Sequence, residues 1–171
     1  MSSSYRVSPL SRAEIRRLAH YLRRITNTEK DVYLDIMKVL ELDMPRLIDG
    51  FEFEVVSEEK LQNECGITIP AQRKIILNEW IYNAAHAGDG YARFSAAHEL
   101  GHLLIHDQNA ISMCRLRKGG IKTYEDPEWQ ADAFAGEFLM YYPLVNGMTP
   151  LEIEINCGVS KSAARTQFSK F

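Results

Sequence analysis

The sequence has few cysteines, no long apolar run and no excess of positive charge. Its three cysteines are odd in number and form no Cys-x-x-Cys pair, so we expect reduced thiols in a cytoplasmic protein rather than a disulfide framework. No apolar run approaches the roughly 18 residues of a membrane span, and the N-terminus lacks the apolar segment of a signal peptide. With 20 basic and 23 acidic residues, the charge balance does not favour a general nucleic-acid binder.

The 171 residues suit one domain that is large enough to bury an apolar core. Helical periods and short alternating strands occur together, which predicts an α+β fold. Within this single domain we expect an N-terminal helical cap at 1–49, a core at 50–146 and a C-terminal helical pair at 147–171. Basic residues dominate the first 30 positions and acidic residues the next 34, as in a solvated face or a docking surface for a protein partner.

Two helices are predicted in the N-terminal cap. The segment Ser11–Glu14 is a capping box, and apolar residues at helical spacing follow it, which predicts an amphipathic helix over 12–26. Thr28 is placed to cap a second helix over about 29–42, and Pro45 marks its end. The first helix is rich in arginines that fall mostly outside its apolar stripe: Arg16, Arg17, Arg23 and Arg24.

Three short strands are predicted at 51–55, 66–70 and 74–78, the last two joined by a turn around Ala71 and Gln72. They make a small three-stranded sheet, antiparallel or mixed, that packs on the helices. One strand must lie at an edge. An extended peptide can add to such an edge by main-chain hydrogen bonds, or the edge is simply kept short to prevent aggregation.

The segment Ala97–His102 carries the pattern His-Glu-x-x-His on a helix predicted from about Ala92 to Ile105. Positions i and i+4 share a helix face, so His98 and His102 can aim two imidazole nitrogens at one point, with Glu99 beside it. This is the geometry of a zinc hydrolase. Chance yields on the order of one such match per hundred chains of this composition, so a buried helix with hydrogen-bonded histidines is the alternative.

A third metal ligand is expected from a second helix, which Asp126 and Pro127 begin. Glu128 and Asp132 on that helix are four residues apart and therefore share a face. Glu128 is expected to complete the ligand set. Asp132 is then free to accept the outer N–H of His98 and to fix its tautomer.

Three further features near the two motifs can be predicted: the role of His106, the segment 107–125 and the end of the helix that carries Glu128. His106 lies two turns from His98, too far to share an ion on a straight helix, so we expect it to support a ligand or to cap the helix. Residues 107–125 show no helical period and are expected to form a loop over the cleft. The second helix is expected to end at Tyr142 and Pro143.

The C-terminal segment predicts two short helices. Thr149–Glu152 is a capping box, Gly158 stops the helix that follows, and Ser160 can cap a last helix over 161–170. The pair is similar to a helix-turn-helix. We expect it to cover the core. DNA binding is the alternative, although the basic face is sparse and a third supporting helix is lacking.

The two motif segments, Arg93–His106 and Glu128–Met140, resemble the ImmA/IrrE metallopeptidase family, as do the strand Ile75–Asn78 and the turn Gly158–Ser160. The likeness extends over about 50–165. It implies a thermolysin-like zinc peptidase core of the gluzincin class. In this family likeness the metal ligands are His98, His102 and Glu128, and the catalytic base is Glu99.

The resemblance also implies the cleavage or other inactivation of a helix-turn-helix (XRE-type) repressor encoded nearby, on a mobile element or at a stress-response locus. Our hypothesis is amide hydrolysis assisted by zinc, or by manganese, in which Glu99 takes and returns the proton. Candidate donors to the oxyanion are Tyr91, Arg93 and Tyr124. Two alternatives are a zinc-containing module that sequesters a repressor without cutting it, and a DNA-binding regulator that uses the C-terminal helices.

Overall fold

The computed structural model describes residues 6–106, 111–112 and 122–171. The strands of this part are β1 (Arg6–Val7), β2 (Glu52–Val56), β3 (Gly66–Ile69), β4 (Lys74–Asn78) and β5 (Ile111–Ser112). The helices are α1 (Arg12–Ile25), α2 (Ile36–Lys38), α3 (Met44–Leu47), α4 (Glu58–Leu61), α5 (Glu79–His86), α6 (Gly90–Ile105), α7 (Pro127–Leu139), α8 (Tyr142–Val145), α9 (Pro150–Cys157) and α10 (Lys161–Phe168). The predicted α+β fold is confirmed.

A three-stranded sheet in the order β2-β4-β3 lies against α6. Strand β4 pairs in parallel with β2, where Phe53 is opposite Ile75, and antiparallel with β3, where Thr68 is opposite the same residue. The sheet is therefore mixed, and an all-antiparallel arrangement is wrong. The alternation of residues in a strand defines its two faces but not the direction of its partner, so pairing had to come from the tertiary structure.

The first predicted helix is confirmed as α1, with the complete capping box at Ser11. The second, over 29–42, is wrong in its limits. Asp35, rather than Thr28, caps α2, and a π-helical segment, Val39–Asp43, joins α2 to α3. Pro45 does not end the helix because it lies in the first turn of α3, where a backbone N–H is not required by the helix.

Arg23 does not share the solvent-facing role expected of the arginines on α1. Its side chain is fully buried and donates to four backbone carbonyls, those of Phe138 at 2.9 Å, Thr28 at 2.7 Å, Asp31 at 2.6 Å and Leu139 at 3.4 Å. Burial lowers the pKa of Arg23 to about 10, which still leaves the guanidinium charged at neutral pH. Arg23 thus ties α1 to the end of α7 and to the chain that follows α1.

The end of α7 also differs from the prediction. The helix stops at Leu139, and Tyr142 and Pro143 begin α8, since proline suits a first helical turn. In the segment predicted as a loop over the cleft, the described residues are β5, which pairs with β1, and a 3-10 turn, Thr123–Glu125. The rest of that prediction lies outside the described residues.

Buried apolar side chains from α1 through α10 form one continuous cluster, with Leu100 of α6 and Phe134 of α7 fully buried in it. Helices α6 and α7 pack against each other, and α1 packs on α7. Helices α9 and α10 are capped at Thr149 and Ser160, and Gly158 ends α9 in a left-handed conformation, as predicted. In the described part of the chain, no helix is both long and apolar enough to cross a membrane.

Candidate metal centre

Helices α6 and α7 lie close together because small residues meet at their contact. A Cβ atom on Gly101 would come within 3.2 Å of the Ala131 Cα atom and 3.1 Å of the Phe134 ring. The start of each helix is fixed by an aspartate, since Asp89 accepts from the Ala92 N–H and Asp126 from the Glu128 N–H. These contacts fix the rotation and the approach of the two helices that carry the motifs.

Three of the predicted residues converge where the two helices meet. The His98 Nε2 atom lies 2.9 Å from His102 Nε2 and 3.2 Å from Glu128 Oε2, and His102 Nε2 lies 3.5 Å from Glu128 Oε1. Two ligand atoms on a tetrahedral zinc ion, each about 2.0–2.2 Å away from it, stand roughly 3.3–3.6 Å apart. The three separations of 2.9, 3.2 and 3.5 Å lie within this range or somewhat below it, so the side chains are close enough together to share one ion. They also form the one such cluster found among the described residues.

The Nδ1 atom of each imidazole, which faces away from the cluster, makes a hydrogen bond to a further side chain. His98 Nδ1 lies 2.7 Å from Asp132 Oδ1, and a carboxylate accepts, so this nitrogen donates its proton. His102 Nδ1 lies 2.9 Å from His106 Nδ1. His106 thus supports the ligand His102 and does not belong to the cluster of three ligand atoms.

A buried glutamine, Gln130, which the sequence analysis did not identify, determines which nitrogen donates in the contact between His102 and His106. The Gln130 amide nitrogen donates to the carbonyls of Ser8 and Tyr124, each at 2.8 Å, so its oxygen must accept from His106 Nε2, 3.0 Å away. His106 is buried and neutral, since burial and then the neighbouring His102 lower its pKa to about 4. His106 Nδ1 consequently accepts the proton of His102 Nδ1.

Both His98 and His102 are thereby left with an unprotonated Nε2 atom, and these two lone pairs face each other beside the Glu128 carboxylate. Such an arrangement requires a cation, either a proton or a metal ion. Without a metal, burial disfavours the charged imidazole of His98, but its hydrogen bonds to Asp132 and Glu128 prevail and raise its pKa to about 10. The neighbouring imidazoles of His102 and His98 hold the pKa of Glu128 below its ordinary value. The donor set of two imidazoles and a carboxylate fits zinc, with one position left for water or substrate.

Residues 59–165 match the profile of the peptidase M78 family, which is described as the IrrE N-terminal-like domain. The chain belongs to this family. The match spans both motif helices and the sheet strands β3 and β4, so it covers the whole converging cluster.

The fold of this family member is similar to that of a solved Mycobacterium tuberculosis transcriptional regulator, with a TM-score of 0.57 and 13% sequence identity. The similarity covers 92% of this chain and 46% of the regulator, so the chain spans about half the length of that protein. A likeness at this identity supports the fold. Among curated proteins, no sequence match is found.

In this M78 family member, Glu99 lies at the wall of a cleft of about 670 Å³, which His98, His102 and Glu128 also line. Its Oε2 atom accepts a hydrogen bond from the Thr68 hydroxyl at 2.6 Å. Thr68 belongs to the edge strand β3, and nothing in its sequence context distinguishes it from other strand residues. The contact depends on the register of β3 against α6, which only the structure supplies.

Gly66 brings this edge strand close to Glu99. A Cβ atom at Gly66 would fall 2.9 Å from Glu99 Cγ, 2.9 Å from the Ile76 carbonyl oxygen and 2.8 Å from Leu77 Cδ2. These separations are shorter than real Cβ contacts, so a larger residue would displace the strand or the carboxylate. Glycine here is needed for close approach rather than for backbone conformation.

Of the three candidate oxyanion donors, one lines the cleft and two do not. Tyr91 lines the cleft, is 56% exposed, and has its hydroxyl 3.3 Å from Cys65 Sγ. Arg93 is not among the described residues that line the cleft: its guanidinium is buried, donates to backbone carbonyls including that of Cys157, and stacks on Tyr33. Tyr124 is not among the described residues that line the cleft, and its ring lies beside the Lys122 ammonium.

Proposed function

We propose that the protein is a zinc-dependent peptidase in which His98, His102 and Glu128 hold the ion and Glu99 is the catalytic base. The observation that carries the proposal is the convergence of the three ligand atoms within 4.8 Å of one another, at the floor of a cleft whose wall holds Glu99. A protein that merely stored zinc would have no need for a carboxylate beside the ion. Membership of a family described as a peptidase family agrees with this function.

The residues of the cleft fit the steps of amide hydrolysis. A bound zinc ion supplies a Lewis acid, which makes water more acidic and polarises a carbonyl group. Glu99 takes the proton of the attacking water and delivers it to the leaving amine. Thr68 holds one oxygen of Glu99 by its hydroxyl, which leaves the other oxygen for the water. Tyr91 is the candidate for a hydroxyl donor to the oxyanion, since it is the predicted donor that lines the cleft.

The substrate is proposed to enter as an extended strand. Strand β3 has one edge paired with β4, and its other edge borders the cleft through Gly66, Ile67 and Thr68. A polypeptide that adds to this edge would run past the ligand cluster with its carbonyl groups at regular intervals. A local unfolding of the substrate protein is then part of recognition.

The physiological substrate that we propose is a helix-turn-helix repressor encoded beside this gene. Support comes from the family likeness, and a solved protein of similar fold is a transcriptional regulator. The test is incubation of the zinc-loaded protein with that regulator, with products identified by mass spectrometry. Glu99→Gln should abolish the products and retain zinc, because the amide cannot take a proton and the ligands are untouched.

Glu59→Gln is the matched control, since it makes the same chemical change at an exposed carboxylate on α4 and should cleave normally. Undiminished cleavage by Glu99→Gln would contradict the base assignment. Stable binding of the regulator without any product, in the wild type and in Glu99→Gln alike, would instead favour the sequestering module.

A further inference from the structure

Two exposed aromatic rings lie at one end of the metal cleft. Tyr91, near the start of α6, lines the cleft and is 56% exposed. The Trp80 ring of α5 is stacked on the Tyr91 ring with 7° between the two planes, and Trp80 is 43% exposed. Aromatic faces attract cationic groups, so this stacked pair is suited to a positively charged ligand.

A carboxylate lies in the turn next to these rings. Glu64 also lines the cleft, and the Sγ atom of the following residue, Cys65, is 3.3 Å from the Tyr91 hydroxyl. Glu64 is exposed, and no other described residue pairs with its carboxylate. This carboxylate is therefore accessible to a ligand that lies on the aromatic pair.

A buried asparagine, Asn78, fixes the turn and the aromatic pair relative to each other. Its Nδ2 atom donates to the Glu64 carbonyl at 3.3 Å, and its Oδ1 atom accepts from the Trp80 N–H at 3.2 Å. The Asn78 N–H donates to the Cys65 carbonyl at 2.9 Å. Because one residue makes all three contacts, the backbone segments that carry Glu64 and Trp80 are held together before any ligand binds, which lowers the entropic cost of binding.

The charge of the cleft also favours a positive ligand. Among the described residues that line it, the side chains with a fixed charge are all carboxylates: Glu64, Glu99, Glu128 and Asp132. Glu128 and Asp132 belong to the metal site, and Glu99 is held by Thr68, so Glu64 is the carboxylate left for a substrate. A divalent ion at the ligand cluster offsets only part of this charge, and the lining stays negative.

The register of β3 gives the position of Glu64 along a bound substrate. Gly66 and Thr68 lie beside Glu99, and Glu64 precedes them by two and four residues. At about 3.3 Å per residue, Glu64 is about 7–13 Å along the chain from the place where Glu99 acts. A polypeptide paired with β3 would therefore have a residue beside Glu64 at about two to four positions from its scissile bond.

We propose that Glu64, Trp80 and Tyr91 form a substrate subsite for a basic side chain, and that it takes arginine in preference to lysine. A guanidinium group can make two parallel hydrogen bonds to a carboxylate and lie flat on an aromatic ring, whereas an ammonium group is a compact point charge. The inference rests on the proposed peptidase function and names its substrate class, polypeptides with a basic residue near the scissile bond. Proteins that bind DNA supply such residues, because they neutralise phosphates with lysine and arginine.

The residues that flank each cut test the subsite. A mixed peptide library is digested with the zinc-loaded wild type, Glu64→Lys and Trp80→Leu, and the products are sequenced by mass spectrometry. The wild type should cut about tenfold more often where arginine stands two to four positions from the cut on one side. Glu64→Lys should replace this preference with one for acidic residues, since the charge at the subsite is reversed. Trp80→Leu should weaken the preference, because the outer ring of the pair is lost.

Glu29→Lys is the matched control, since it makes the same change at an exposed position that is not part of the described cleft lining, and it should keep the wild-type pattern. Cleavage by the wild type without a preference for arginine overturns the subsite and leaves the peptidase standing. An unchanged arginine preference in Glu64→Lys has the same consequence.

A binding measurement tests the subsite without requiring cleavage. The zinc-loaded Glu99→Gln chain is titrated with an acetylated alanine hexapeptide amide that contains one arginine, and with the analogue in which uncharged citrulline replaces the arginine. The Trp80 indole signal is followed by NMR. The arginine peptide should bind about tenfold more tightly, and adding Glu64→Gln should remove that difference.

The two measurements together separate the subsite from the peptidase. Equal affinity for the arginine and citrulline peptides overturns the subsite, whether or not the wild type cleaves the library. Arginine-selective binding that Glu64→Gln removes, without any cleavage of the library by the wild type, overturns the peptidase and leaves a cleft that binds basic polypeptides.

Discussion

The hydrogen-bond chain from Gln130 through His106 to His102 should control zinc affinity from outside the ligand set. Gln130→Leu removes the acceptor of His106 Nε2–H, so His106 can turn its proton toward His102 and no longer fixes the proton of His102 on Nδ1. Loss of such supporting partners typically lowers metal affinity by 10–100-fold. The expected loss of zinc affinity is therefore about 10–100-fold, or about 1.4–2.7 kcal/mol.

The same substitution should also lower the free energy of unfolding. It removes the two hydrogen bonds that the Gln130 amide donates to the Ser8 and Tyr124 carbonyls, and one such hydrogen bond contributes about 0.5–1.5 kcal/mol. Zinc affinity is therefore measured by competition with a chromophoric chelator at a temperature where circular dichroism shows the folded state.

A double-mutant comparison separates the chain of hydrogen bonds from general damage. If Gln130 acts on zinc through His106, the double variant His106→Phe, Gln130→Leu should bind zinc as weakly as His106→Phe alone. Asp132→Asn acts through His98 instead, so its loss should add to that of Gln130→Leu. Wild-type zinc affinity in a folded Gln130→Leu protein would refute the reasoning, and so would additive losses from His106→Phe and Gln130→Leu.

Three further predictions concern the metal, the edge strand and the buried arginine. Zinc at about one hundred times its dissociation constant should stabilise the protein by about 2.7 kcal/mol and raise Tm by about 5–11 °C, as scanning calorimetry with and without EDTA can show, whereas His98→Ala should not respond. Gly66→Ala should lower the rate of peptide cleavage about tenfold or more without changing zinc affinity, because the added Cβ displaces Glu99 or β3 but no ligand. A normal rate of cleavage would contradict the role of the close approach of β3 to Glu99. Arg23→Met should lower the free energy of unfolding by about 2–5 kcal/mol in urea, since four carbonyls lose a buried donor, whereas Arg24→Met at the exposed neighbouring position should change it little.

Local patterns in the sequence were sufficient for the elements that carry the candidate site. The His-x-x-x-His spacing on α6 and the Glu-x-x-x-Asp spacing on α7 place each pair on one helix face, whatever surrounds the helix. Capping residues such as Ser11, Asp126 and Thr149 are satisfied within the first turn of their own helices, which is why those starts were predictable.

Predictions failed where a residue depends on a distant partner. Arg23 was expected outside the apolar stripe of its helix and Arg93 was a candidate donor to the oxyanion, yet both are buried, because backbone carbonyls from other elements converge on their guanidinium groups. The helix expected from Thr28 begins at Ile36 instead, after the cap Asp35, since Thr28 is buried in the turn after α1 and its hydroxyl contacts that of Thr26. Propensity and periodicity carry no information about such long-range contacts.

Which side chains are available as ligands and base follows from the amino-acid order, because four-residue spacing on a helix sets their common face through backbone geometry alone. That the two faces meet follows only from the folded chain, since the approach of α6 and α7 depends on the contact of Gly101 with Ala131, 30 positions further along. The partners Thr68 and Gln130 likewise became visible only in the folded chain. Hydrogen bonds join them to residues that are remote in sequence, and packing rather than local spacing brings those residues together.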